Sequence, residues 1–229
     1  MFHAFEWSNS TLFEDPDGDQ PSELSAWSHG SISPDESGTH FGFVQSGRIK
    51  LRCESGHFEI RAGMYFSVPA ACEIEGSDSR GILCTRRNYQ GFFQIGGPIE
   101  SLGRLRYIDG CSDSLLIPPV ICGDPCLNLL HIPPGTAQTQ HTHPSLRAGI
   151  IASGEGECRT PERTFRLTPG TIFVIPAESE HSFHTVDSEL RVIAWHPDSD
   201  TGPRHDDHPM VNRTIVDGVS ASQIPEIRT

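Results

Sequence analysis

Along most of the chain, apolar residues alternate with polar ones at a period of two. Segments such as GRIKLRC (47–53), HFEIRAG (57–63), TFRLTPG (164–170) and LRVIAWH (190–196) are rich in β-branched and aromatic residues. Glycine, proline and serine interrupt them at intervals of about 8–12 residues. That rhythm predicts short antiparallel strands closed into a sandwich or barrel, and helical periodicity is scarce. MYFSVPA (64–70) and TIFVIPA (171–177) read as strands of the same kind.

The pattern occurs twice. Residues 42–70 align with 149–177 without a gap, at a constant offset of 107. Gly42, Ser46, Gly47, Arg52, Phe58, Gly63, Phe66, Pro69 and Ala70 all recur in the second copy. Shared β-composition would not keep glycines and a proline in register, so the chain reads as a duplication. The expected organisation is an N-terminal barrel over 1–100 and a C-terminal barrel plus tail over 101–229. The stretch from Asn88 to about Cys126 would supply the connection and the first strands of the second copy.

Composition narrows the partners. The formal charge is −13, and Lys50 is the sole lysine. A nucleic-acid surface needs a basic patch, and none is visible. No apolar run approaches the roughly 20 residues of a membrane helix. The first residues carry acids where a signal peptide would carry a basic region. Seven scattered cysteines, an odd number, read as reduced thiols. The expectation is a cytoplasmic protein that binds neither membrane nor nucleic acid.

The candidate chemistry lies in HTHPSLRAG (141–149). On a strand, His141 and His143 would share one face about 6–7 Å apart. Two such imidazoles can share one metal ion with further ligands from elsewhere, and His181 in IPAESEHSFH is the third candidate. The alternative is that these are ordinary surface or core histidines, since the chain has twelve. His184 would point away from His181 on a regular strand. His196, His205 and His208 fall in HPDSDTGPRHDDH, which reads as a solvated tail.

These residues resemble the signatures of the cupin superfamily. Gly135, His141, His143 and Gly154 stand at the spacing of the first signature, with Arg147 in its glutamate slot. Gly170, Pro176 and His181 match the second signature, where Glu178 and Thr185 replace a glycine and an asparagine. With the first copy included, the resemblance covers most of residues 38–196. It implies an all-β bicupin, two double-stranded β-helix (jelly-roll) barrels in tandem, with His141, His143 and His181 as metal ligands. In the first copy the histidine positions become Pro34, Glu36 and Ile74, and the arginine position becomes His40. One divalent transition-metal ion per chain is therefore expected: zinc, iron, manganese or nickel.

The resemblance implies either a metal-dependent enzyme or a non-catalytic small-molecule sensor. As an enzyme, a dioxygenase stands ahead of an isomerase or lyase, acting on a small anionic or hydroxylated molecule. Arg147 has no lone pair for a metal. It would either anchor an anionic ligand, pair with an internal acid such as Glu155 or Glu157, or turn out to solvent. Jelly-roll edges need cover, and family members commonly pair through such sheets, so a homodimer is expected.

Overall fold

The computed structural model describes residues 2–199 and 209–227. Strands dominate, and among the described residues the one α-helix is the short Pro209–Arg213. The alternating segments form four main sheets, in two units of one large and one small sheet each.

In the first unit the large sheet runs Gln94–Gly96, Tyr65–Val68, Gly38–Ser46, Arg80–Arg87, Ser22–Trp27, Ser10–Asp15. Its small sheet runs Gly30–Ile32, Cys72–Gly76, Arg48–Cys53, Gly56–Arg61. The second unit repeats this order. Its large sheet runs His3–Phe5, Ile172–Ile175, Arg147–Gly154, Leu190–His196, Cys126–Ile132, Ser112–Ile117, Leu105–Arg106. Its small sheet is Thr164–Leu167, Gly156–Arg159, Ser182–His184. Adding 107 to Tyr65–Val68 gives Ile172–Ile175, the same place in the other sheet. The segment after Asn88 supplies an edge strand to the first unit and then two strands to the second.

The edges reveal an exchange that sequence pattern did not suggest. Gln94–Gly96 closes one side of the first large sheet, and the equivalent edge of the second is closed by the chain's beginning. His3 pairs with Val174 and Phe5 with Ile172, while Phe2 is buried against Phe165 and Phe173. Residues 2–5 thus pack with the second unit, and no single cut at residue 100 separates the two.

Alternation along the strands sorts side chains between three apolar cores. Val44, Leu51, Ile60, Phe66 and Ile74 fill the first unit, and Ile151, Leu167, Phe173, Phe183 and Val192 the second. The opposite faces of the two large sheets meet: Phe41 and Phe43 from one, Ala148, Ile150, Ile193 and Trp195 from the other. Phe41 and Trp195 lie 6.0 Å apart between ring centroids. A repeated device fixes both interiors. A Cβ on Gly42 would meet the ring of Phe66 at 2.1 Å, and one on Gly149 the ring of Phe173 at 2.8 Å. Only glycine leaves room for the phenylalanine to cross the strand.

Candidate metal centre

His141, His143 and His181 are brought together at one end of the second unit, with one possible ligand atom from each lying within 4.8 Å of the others. Their rings are 4.6 to 5.1 Å apart between centroids. The local structure corrects one expectation. His141 and His143 do not sit on a regular strand. They lie on an irregular segment between the strands Cys126–Ile132 and Arg147–Gly154. It is held by isolated bridges, Ala137 with His184 and His141 with His181, and in the second the two histidines exchange backbone hydrogen bonds, both of 3.0 Å.

The residues that depart from the family signature fasten this segment. Glu178 occupies a signature glycine position with φ +56°, the left-handed conformation that favours glycine. Its N–H donates to the carbonyl of His143 at 2.8 Å, and its carboxylate accepts from the Thr142 hydroxyl at 3.3 Å. Thr185, in the asparagine slot, donates through its hydroxyl to the Pro133 carbonyl and accepts from the N–H of Thr136. Both ends of the histidine loop are thereby tied to the Pro176–Thr185 turn and strand.

The ring orientations suit a metal. His141 Nδ1 donates to the Thr139 carbonyl at 2.8 Å, and His181 Nδ1 to the Ser179 carbonyl at 2.9 Å. A carbonyl only accepts, so the proton is on Nδ1 and Nε2 keeps its lone pair. Burial, with Arg147 and the neighbouring imidazoles, pushes His143 down to about 3. Burial is also the largest cause at His181, which lies at about 4. Neutral imidazoles are the form that binds a divalent cation. The donor set therefore fits one transition-metal ion.

The triad faces a cavity of about 90 Å³, also lined by Asp113, Asn128, Arg147 and His196. A wider vestibule of about 440 Å³ shares several of these residues and adds Leu105, Pro144 and Ser145. Arg147 occupies the last inward position at the start of its strand. Its Nη1 donates to the Ser145 carbonyl, the Ser145 hydroxyl and the Leu146 carbonyl, at 2.8–3.0 Å. The acids expected as internal partners are engaged elsewhere: Glu155 with Arg166 and Glu157 with Arg159.

Several cavity residues escaped sequence reasoning. His196 is not part of a solvated tail. It ends the strand Leu190–His196 and shares the inward face with Val192 and Ala194. Its burial holds the imidazole well below 6.5. Parity along LRVIAWH carried that signal. Asp113 and Asn128 come from the two strands beyond. Asn128 donates to the Asp113 carboxylate at 3.3 Å, and its Oδ1 is buried without a partner. Burial raises the Asp113 carboxyl to about 6. A lone asparagine inside the apolar strand CLNLLHI was the available clue. His184 donates or accepts at the Ser182 hydroxyl and stays outside the triad. His205 and His208 lie outside the described residues.

The first unit has no matching cluster among the described residues. Ile74 is in its apolar core and Glu36 is exposed. His40 is buried, bonded at Nε2 to the Asp35 carbonyl and at Nδ1 to Thr85. Its cavity of about 300 Å³ is lined by polar groups that satisfy one another, Arg87 pairing with Glu23 and Ser37.

Antiparallel jelly-roll sheets with three histidines converging inside define a class: small β-barrels with an imidazole cluster that could hold a metal ion. Residues 128–196, within the second unit, match the Cupin domain family model. No curated protein matches it in sequence. Solved structures share the fold at low identity. The protein Ylba from E. coli superimposes with TM-score 0.63 at 18% identity, covering 89% of this chain and 93% of the other. Salicylate 1,2-dioxygenase from Pseudoaminobacter salicylatoxidans, in complex with gentisate, gives TM-score 0.60 at 10% identity, covering 86% and 82%. The putative glyoxylate induced protein from Pseudomonas aeruginosa gives TM-score 0.60 at 12% identity, covering 89% and 82%.

Proposed function

We propose that the second unit is a metal-dependent enzyme, a dioxygenase in the first instance, acting on a small carboxylate-bearing molecule. The observation that carries this reading is the placing of Arg147 in the same cavity as the histidine triad. His141, His143 and His181 would hold one divalent ion, which when bound supplies Lewis acidity and, if iron, a centre for dioxygen chemistry. Three neutral ligands leave the ion's charge uncompensated, and a guanidinium beside it adds to the positive field. An anion between the two relieves that repulsion, and Arg147 has the planar geometry to grip a carboxylate. The inner cavity of about 90 Å³ limits what reaches the triad to a compact molecule. Resemblance in fold to a structure holding gentisate, itself a small carboxylate, supports this size and charge class.

The test is oxygen uptake by iron-loaded protein against a panel of small aromatic and aliphatic carboxylates. Turnover with any member supports the enzyme. A ligand that raises the melting temperature and is recovered unchanged under every metal tried would favour the sensor reading. In solution the chain is proposed to be a homodimer, and light scattering should return twice the chain mass of 25.2 kDa. The exposed Leu102, Leu105, Ile108 and Leu115 on and around one edge of the second large sheet support that assembly.

A further inference from the structure

The first unit has lost the metal site, but its small sheet carries a second piece of chemistry. Cys53 ends one strand and Cys72 begins its antiparallel neighbour, and the two are directly opposite in the register. Both side chains face inward. Leu51 and Cys53 share one face, Cys72 and Ile74 the matching face, and both cysteines belong to the first unit's core cluster.

The backbone decides how close they come. In an antiparallel ladder each residue turns its N–H and C=O to the same side. The N–H of Cys72 bonds to the Pro34 carbonyl, away from Cys53. Cys53 closes the two-residue hairpin at Glu54 and Ser55, facing Gly56 on its other side. Toward each other the cysteines are thus a non-hydrogen-bonded pair, whose Cα atoms sit about 4.5 Å apart. That is within the roughly 4.4–6.8 Å window that a disulfide requires. Cys53 is half-buried and reachable from solvent, while Cys72 is buried.

We infer that Cys53 and Cys72 form a modification site at which a small disulfide, such as oxidised glutathione, installs a cross-strand bond. The Cys53 thiolate attacks one sulfur of the small disulfide, forming a mixed disulfide and releasing one small thiolate. Cys72 loses its proton to solvent, and its sulfur attacks the Cys53 sulfur. The bond to the small molecule breaks and the second small thiolate leaves. Two protein thiols are oxidised and one small disulfide is reduced to two thiols. The product pins the strand Arg48–Cys53 to Cys72–Gly76 and closes the loop through Gly56–Arg61 and Tyr65–Val68. Neither strand contributes to the metal cavity, so the site is independent of the enzyme reading.

The experiment uses the full chain, reduced and desalted, then incubated with oxidised glutathione at about pH 9. The alkaline pH offsets burial, which pushes the Cys72 thiol up to about 12. Remaining thiols are alkylated and the protein is mapped by mass spectrometry. The expected result is a peptide linking Cys53 to Cys72, reversed by dithiothreitol, with a melting temperature about 5 °C or more higher when oxidised. A Cys53→Ser variant should show neither. Because the map locates each bond directly, the unsubstituted chain decides the matter even if the variant folds poorly. A persistent mixed disulfide on Cys53, a bond from it to another cysteine such as the exposed Cys122, or linkage that forms only in denaturant would overturn the site.

Discussion

His141 and His181, forty residues apart, donate backbone hydrogen bonds to each other's carbonyls at 3.0 Å, so the bridge that joins their segments also sets their imidazoles side by side. Removing either ring should abolish tight metal binding without unfolding the chain, because the bridge is made by backbone. For His181→Ala and His141→Ala, metal affinity should fall by at least about 100-fold, with the β-rich circular dichroism spectrum retained. Elemental analysis of the unsubstituted protein should give one equivalent. Two tightly held equivalents would contradict the single site.

Arg147 is expected to act on the ligand rather than on the metal. Arg147→Met should keep the bound ion and weaken a carboxylate ligand by about 2 kcal/mol or more, as when a buried charged pair loses a partner. Arg147→Lys keeps the charge but loses the planar fork, so it should fall between. Calorimetric titration of the metal-loaded variants separates the outcomes. Unchanged affinity in Arg147→Met would remove the anchor, and lost metal would instead make the arginine a support for the histidine loop.

Acid should destabilise the metal-free protein. Burial holds His143 at about 3 and His181 at about 4 in the fold, against about 6.5 in an unfolded chain. The unfolded state then takes up protons that the folded state refuses. The stability these groups contribute is complete above about pH 6.5 and is lost as pH falls toward their folded values. Chelator-treated protein should melt at a lower temperature at pH 5 than at pH 7.5. An unchanged melting temperature would mean that the cavity admits water and screens the rings.

Asp113 works in the opposite direction. Its carboxyl, raised from 3.8 to about 6 by burial, favours the fold when protonated and opposes it once ionised. That stabilisation is full below about pH 3.8 and fades as pH rises through 6. Asp113→Asn keeps the shape and removes the charge, so it should raise stability at pH 7.5 by roughly 1–3 kcal/mol. It should also make the loss in acid steeper. Denaturant titration at the two pH values reads both effects.

Packing between the units predicts a fifth behaviour. Phe41 is buried against Trp195 across the two large sheets. Phe41→Ala should cost about 3–5 kcal/mol, the range for deleting a buried aromatic ring. The loss should appear as a single cooperative transition, because the deleted contact belongs to both units. Two resolved transitions in the unsubstituted protein would show that the units melt separately.

Sequence alone determined whatever is local or periodic. Alternation at period two specified the strands and which face of each is apolar, and glycines and a proline recurring at an offset of 107 disclosed the internal repeat. The doublet His141 and His143, with His181, marked a candidate metal site, and the family resemblance gave all three a place in its signatures. Tertiary structure decided what depends on which elements meet. Asp113 and Asn128 are remote from the histidines in sequence and join them only because Ser112–Ile117 and Cys126–Ile132 lie beside Leu190–His196 in one sheet. His196 looks like the start of an acidic tail until strand parity in a closed barrel turns it inward. Residues 2–5 take the edge of the distant unit because that edge, once its neighbours are paired, offers unfilled backbone hydrogen bonds and an apolar place for Phe2. Local pattern fixes which way a side chain faces along its own strand. What it faces depends on strand order, and strand order is set by long-range pairing that no window of sequence contains.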